Sequence, residues 1–238
     1  MSERLSPHEL GTIVGVWAHP DDECYLMAGT AMLAAAAGSH VAVVSATMGE
    51  AGSTADESRW PLASMASTRE AELAASLAEL GIEDHTSLGL PDGGVPGVDP
   101  LEGIELVAAV LERLRPDTVL TFGPDGVTGH PDHVAVGHWA QHATRRVLGE
   151  RCRVLAPTFT AELLEPFAQV NAVVYEWAPP PSVDPEDVVL DVRLDGEILD
   201  RKVRALQAQA SQTSGIEQWM GAARYRQWVS AELWVPRG

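Results

Sequence analysis

Two strand-like apolar runs, residues 12–17 and 118–122, each give way to a turn crowded with imidazoles and carboxylates. The first leads into His19-Pro20-Asp21-Asp22-Glu23, the second into Gly129-His130-Pro131-Asp132-His133. Two separate strand ends that each deliver His and Asp are what a mononuclear metal site needs. Zinc takes about four ligands, with N or O donors at roughly 2.0–2.2 Å. A single His-Pro-Asp turn is usually a plain capping turn, because Asp caps helices and Pro suits turns. Two such clusters behind two strands in one chain point to a metal site.

Around these clusters, strand-like and helix-like segments alternate through the first 150 residues, the pattern of a parallel sheet with crossover helices. An Ala-rich helix is expected over residues 25–37 and a β-branched strand over 40–46. Met65, Leu73, Leu77 and Leu80 recur at helical steps over residues 64–80, and Gly81 then ends that helix. Helices are further expected over residues 101–114 and 132–148. Beyond residue 150 the alternation loosens. Residues 170–177 and 187–194 read as strands and 195–210 as a helix, while the aromatic-rich end (Trp219, Tyr225, Trp228, Trp234) takes no clear assignment. The expectation is α/β: a mostly parallel sheet flanked by helices, one domain over residues 1–238 with extra C-terminal strands and a helix.

The 16 basic against 34 acidic residues leave a formal charge of −18, which repels phosphate backbones and anionic lipid. No nucleic-acid partner is expected, and the apolar stretch 26–38 is too short for the roughly 20 residues of a membrane span. Two cysteines, Cys24 and Cys152, without a CxxC pair, suit a reducing cytoplasm.

In the Pro-containing turn after the first run, successive side chains fan out, so Asp21 and Asp22 can do different jobs. If His19, Asp22 and His133 bind the metal, a fourth position is left for water, as in catalytic zinc sites. Asp21 could then act as general base on that water. His130 stands three residues before His133, so one imidazole can bind metal while the other faces substrate. The latter would steady the oxyanion and protonate the leaving amine, with Asp132 accepting from its other ring nitrogen. Metal, base and acid together describe amide hydrolysis.

These motifs resemble the LmbE-like (PIG-L) family of zinc-dependent N-deacetylases, over residues of about 12–215. The resemblance implies a Rossmann-like fold, zinc held by His19, Asp22 and His133, Asp21 as base and His130 as electrostatic and acid partner. Fe²⁺ is the other candidate metal. Arg69, in a segment like the family's Arg-x-x-Glu helix, is expected either to reach a substrate hydroxyl or acyl group or to be a surface Arg beside Glu72. Asp92, in Leu90-Pro91-Asp92-Gly93-Gly94, either meets sugar hydroxyls or belongs to a plain turn. One departure is Gln209, where many members carry a His; it cannot titrate.

The expected function is removal of an N-acetyl group from an amino-sugar conjugate or related small amide; the alternative is an amidase cleaving a larger acyl group from a thiol conjugate or natural product. The partner is an N-acylated small molecule, a glycoside by preference, with a homo-oligomer left open. A nucleotide-binding Rossmann protein is disfavoured, since the first strand leads into His-Pro-Asp-Asp-Glu and not GxGxxG.

Overall fold

The computed structural model describes residues 4–237. Its strands are β1 (Ile13–Trp17), β2 (Val41–Ser45), β3 (Asp84–Ser87), β4 (Thr118–Thr121), β5 (Arg153–Thr158), β6 (Leu190–Arg193) and β7 (Ala231–Pro236). All join one sheet in the order β3-β2-β1-β4-β5-β7-β6. β1 to β5 are parallel, and β7 runs antiparallel between β5 and β6. The helices are α1 (Asp22–Leu26), α2 (Ala28–Ala36), α3 (Met65–Leu80), α4 (Pro100–Leu114), α5 (Pro131–Val147), α6 (Ala161–Leu164), α7 (Ala168–Val174), α8 (Gly196–Ala208), α9 (Ala210–Met220) and α10 (Ala222–Trp228). The α/β expectation holds, and none of the described helices is long and apolar enough to cross a membrane.

The strand order decides where a site can form. From β1 the chain moves outward through β2 to β3, then returns to place β4 on the other side of β1. Connections therefore part between β1 and β4, which opens a crevice at the carboxyl ends of these neighbours. β1 and β4 pair in register from Ile13↔Thr118 to Val16↔Thr121, so the two clusters that follow them leave the sheet side by side.

Several segments differ from their sequence reading. Residues 170–177 form no strand: Ala168–Val174 is helical, with Val170 and Asn171 inward and Val173 58% exposed. β-branched content suggested a strand there, but one-sided burial suits a short helix. β5 gave little signal because Pro157 interrupts its apolar run, yet pairing with β4 stops at Leu155, before that proline. β3 is a polar edge strand without apolar alternation. β7 lies past residue 215 but inside the sheet, so part of the aromatic C-terminus belongs to the core: Trp234 and Tyr225 are fully buried, while Trp219 is 57% exposed.

The helix expected over residues 25–37 breaks at Met27 into α1 and α2. The backbone N–H groups of Gly29 and Thr30 donate to the carboxylate of Glu232, each at 2.7 Å, so β7 caps the new helix start.

α4 and α5 pack closely because Gly103 lies against the Trp139 ring, where a Cβ would overlap ring atoms. Mid-helix Ala normally gains about 1 kcal/mol over Gly. Here the clash with a buried ring dominates, and Gly103→Ala is expected to lose about 1–3 kcal/mol of unfolding free energy in urea titration.

Candidate active site

β1 ends at Trp17, and the turn that follows places Asp21 in the left-handed region, φ 96°. A non-glycine residue there is strained and needs support from its surroundings. Two side chains supply it. Glu23, fully buried, accepts from the Asp21 N–H at 3.0 Å, and Arg69 donates to the Pro20 carbonyl, to Gly49 O at 3.1 Å and to Asp21 Oδ2 at 3.2 Å. Gly49, φ 66°, leaves the room that guanidinium occupies; a Cβ there would strike it.

Arg69 is thus neither at the surface nor paired with Glu72, whose carboxylate instead accepts from Ser211 N and Oγ. It is 3% exposed and holds the Asp21 turn. Glu23 carries no assigned role in the sequence reading, and its own partners are Cys24 Sγ and Gln209 Nε2, each at 3.1 Å. Gln209, the departure from the family pattern, therefore supports the residue that supports Asp21. Its position across 186 residues of chain left no local signal.

His19, Asp22 and His133 converge. His19 Nδ1 lies 3.0 Å from His133 Nε2, Asp22 Oδ1 lies 3.5 Å from His133 Nε2, and Asp22 Oδ2 lies 3.8 Å from His19 Nδ1. Donors at about 2.0–2.2 Å from a four-coordinate zinc stand about 3.3–3.6 Å apart, so this trio brackets the required spacing.

The far side of each ring fixes its tautomer. His133 Nδ1 faces Gly126 O at 3.0 Å, and Phe122 stacks on the ring at 4.2 Å. His19 Nε2 faces Asp92 Oδ1 at 3.0 Å and Asp132 Oδ2 at 3.3 Å. Ring N–H groups donated outward to these acceptors turn the two inner nitrogens toward each other at 3.0 Å, a gap bridged by a proton on His19 Nδ1 or by a metal ion that replaces it. Burial would lower the His19 pKa, but its hydrogen bonds to the carboxylates of Asp132 and Asp92 and the charge of Asp22 outweigh it and push it up to about 10. Burial and the neighbouring His19 hold His133 well below the usual imidazole range. A cation-seeking His beside a neutral His and a carboxylate is a donor set suited to a divalent metal.

His130 caps α5, and its Nδ1 accepts from Asp132 N at 3.2 Å. Its ring stands edge-on to His19, centroids 4.9 Å apart, and is half-buried. His19, His130 and His133 bring ring nitrogens within 4.8 Å of one another, as do His19, Asp92 and Asp132 with their ligand atoms. In the latter group the carboxylates also take backbone donors, Ala51 N at 2.9 Å and Gly93 N at 2.8 Å, which suits acceptors for a ring N–H. The sequence reading set Asp132 against the His130 ring. Its carboxylate instead faces His19, because the first turn of α5 directs it back across the crevice. Asp92 likewise touches His19.

Asp21 borders the trio with its side chain 20% exposed. Burial, partly offset by Arg69, pushes its pKa up to about 7. A carboxylate in that range is suited to exchanging a proton near neutrality.

A family model described as GlcNAc-PI de-N-acetylase (PIG-L) matches residues 14–144. The 1D-myo-inositol 2-acetamido-2-deoxy-alpha-D-glucopyranoside deacetylase of Mycobacterium sp. (strain KMS) is 32% identical, over 84% of this chain and 73% of that protein. Among solved structures, N,N'-diacetylchitobiose deacetylase from Pyrococcus horikoshii has the same fold, with TM-score 0.68 at 19% identity, covering 97% of this chain and 85% of that one. GalB, a 4-carboxy-2-hydroxymuconate hydratase from Pseudomonas putida KT2440, also shares it, with TM-score 0.63 at 20% identity over 96% and 97% of the two chains. One fold thus carries more than one chemistry, and the match that spans both His/Asp clusters is the family's: this chain belongs to the PIG-L (LmbE-like) family.

Proposed function

We propose that the protein is a metal-dependent hydrolase that removes the N-acetyl group from an amino-sugar conjugate. The observation that carries this reading is the pair of ring nitrogens, His19 Nδ1 and His133 Nε2, that face each other at 3.0 Å beside Asp22, with Asp21 next to them. Two imidazoles and one carboxylate are a catalytic zinc set and also an Fe²⁺ set; hydrolysis without redox change favours Zn²⁺. His19, Asp22 and His133 would hold such an ion, which would supply a lowered water pKa and polarisation of the amide carbonyl.

The remaining steps belong to side chains. Asp21, held in its strained turn by Glu23 and Arg69, takes the proton of the attacking water. His130, whose Nδ1 accepts from the Asp132 N–H, keeps its hydrogen on Nε2 to donate to the oxyanion, and the proton that Asp21 took from the water passes on to the departing amine. Asp92 and Asp132 hold His19 so that Nδ1 faces His133 Nε2. The deacetylase names of relatives support an acetyl group and a sugar. Two free, buried cysteines support a reducing compartment such as the cytoplasm.

The test is acetate release from N-acetylglucosaminides linked to inositol, malate, simple alkyl and glycopeptide groups, with metal content measured on the same sample. About one zinc per chain, with activity abolished by a chelator and restored by Zn²⁺, is expected. Protein that binds no metal would end this reading.

A further inference from the structure

A cavity of about 210 Å³ adjoins the site and shares Asp21, Asp22 and His133 as part of its wall. The rest is mainly apolar: Leu26 of α1, Phe159 after β5, Val174 of α7, Ile216 of α9, Trp228 of α10 and Leu233 of β7. Most of the polar groups that border it are already engaged, with Thr158 Oγ1 an exception that has no partner. The Glu232 carboxylate is taken up by Gly29, Thr30 and Lys202, and the Gln212 amide donates to Ser211.

His130, Asp92 and Asp132 are not part of this wall. An acyl carbon placed against Asp21, Asp22 and His133, with its amine nitrogen directed to His130, therefore sends its acyl tail into the cavity. An acetyl methyl would fill little of it. An apolar cavity of about 150 Å³ takes up benzene, so this one has room for a chain of about six carbons.

We propose that the site accepts, beyond acetyl, linear acyl chains of about four to eight carbons on an amino sugar, and hydrolyses them faster than acetyl. This rests on the hydrolase reading above. In the step, a water oxygen adds to the acyl carbon as Asp21 takes the water's proton, the C–N bond breaks as that proton passes to the departing amine, and the carboxylate leaves with its tail still in the cavity.

The experiment compares N-acetyl-, N-butanoyl-, N-hexanoyl- and N-octanoyl-glucosamine as substrates of the zinc-loaded protein by amine release. Calorimetric titration with acetate and hexanoate is run alongside. kcat/KM is expected to rise about fourfold per buried methylene up to hexanoyl, and hexanoate to bind more than about tenfold tighter than acetate. Ile216→Trp, which fills the cavity, should cut the hexanoyl-to-acetyl rate ratio at least about tenfold. Acetyl turned over fastest, with hexanoate no tighter than acetate, would overturn the proposal while leaving the deacetylase standing. If no substrate is turned over, the hydrolase reading fails separately, and the carboxylate titration alone decides the cavity: tighter hexanoate supports it and equal affinity overturns it.

Discussion

Asp21→Asn is expected to lower kcat by about 10²–10⁴-fold while metal content stays at the wild-type level. The substitution keeps shape and removes the proton acceptor beside the His19, Asp22 and His133 trio. Asn can still accept from Arg69, so the left-handed turn at Asp21 should survive and near-wild-type Tm is part of the result. In the wild type, the base must be ionised to work, so activity falls as pH drops through its pKa. Burial sets that value at about 7, and a neighbouring cation draws it lower, so the acid limb of kcat/KM should lie at or below about 7. A variant that keeps its rate would remove Asp21 from the mechanism, whatever the metal does.

Glu232→Gln should cost about 3–5 kcal/mol of unfolding free energy in urea titration, the second large effect. Lys202 Nζ and Glu232 Oε1 lie 2.7 Å apart with side chains 0% and 1% exposed, so neither charge has water to fall back on. The substitution removes the charge opposite the ammonium, whose other partner is Tyr25 O at 2.8 Å, and turns the amide hydrogens toward either the Gly29 N–H and Lys202 or the Thr30 donors, since only one acceptor oxygen survives. Lys202→Met should cost less, because the carboxylate keeps both backbone donors and Thr30 Oγ1. That order, Glu232 above Lys202, separates a capping carboxylate from a simple ion pair; equal losses would argue for the ion pair alone. The stakes reach the active site, since Glu232 fixes the start of α2 directly behind the α1 turn that carries Asp22.

Much of the ligand chemistry could be read along the chain. His19, Asp21 and Asp22 sit within four consecutive positions and His130 and His133 within another four, at the ends of runs whose apolar content marks buried strands. Local pattern suffices there, because the turn, the strand end and the donor types are all short-range properties. The supports of that site are a different matter. Arg69 acts on a turn 48 residues away, Gln209 on Glu23 across 186, and Glu232 on α2 across about 200, and none carries a periodic signature. The wrong assignment of residues 170–177 and the unplaced C-terminus have the same origin: β-branched and aromatic residues suit a strand, a helix or a core filler alike, and burial by distant partners chooses among them.

The chain by itself therefore determined the alternation of strands and helices, the two His/Asp turns and the identity of the donors, since each is set within a few residues by backbone sterics and side-chain chemistry. Tertiary structure decided that β4 returns beside β1, that Asp132 and Asp92 both face His19, and that α7, α9, α10 and β7 enclose an apolar cavity against Asp21 and Asp22. Those outcomes depend on strand order and on which buried surfaces meet, and such pairings between distant segments are fixed only when the whole sheet assembles.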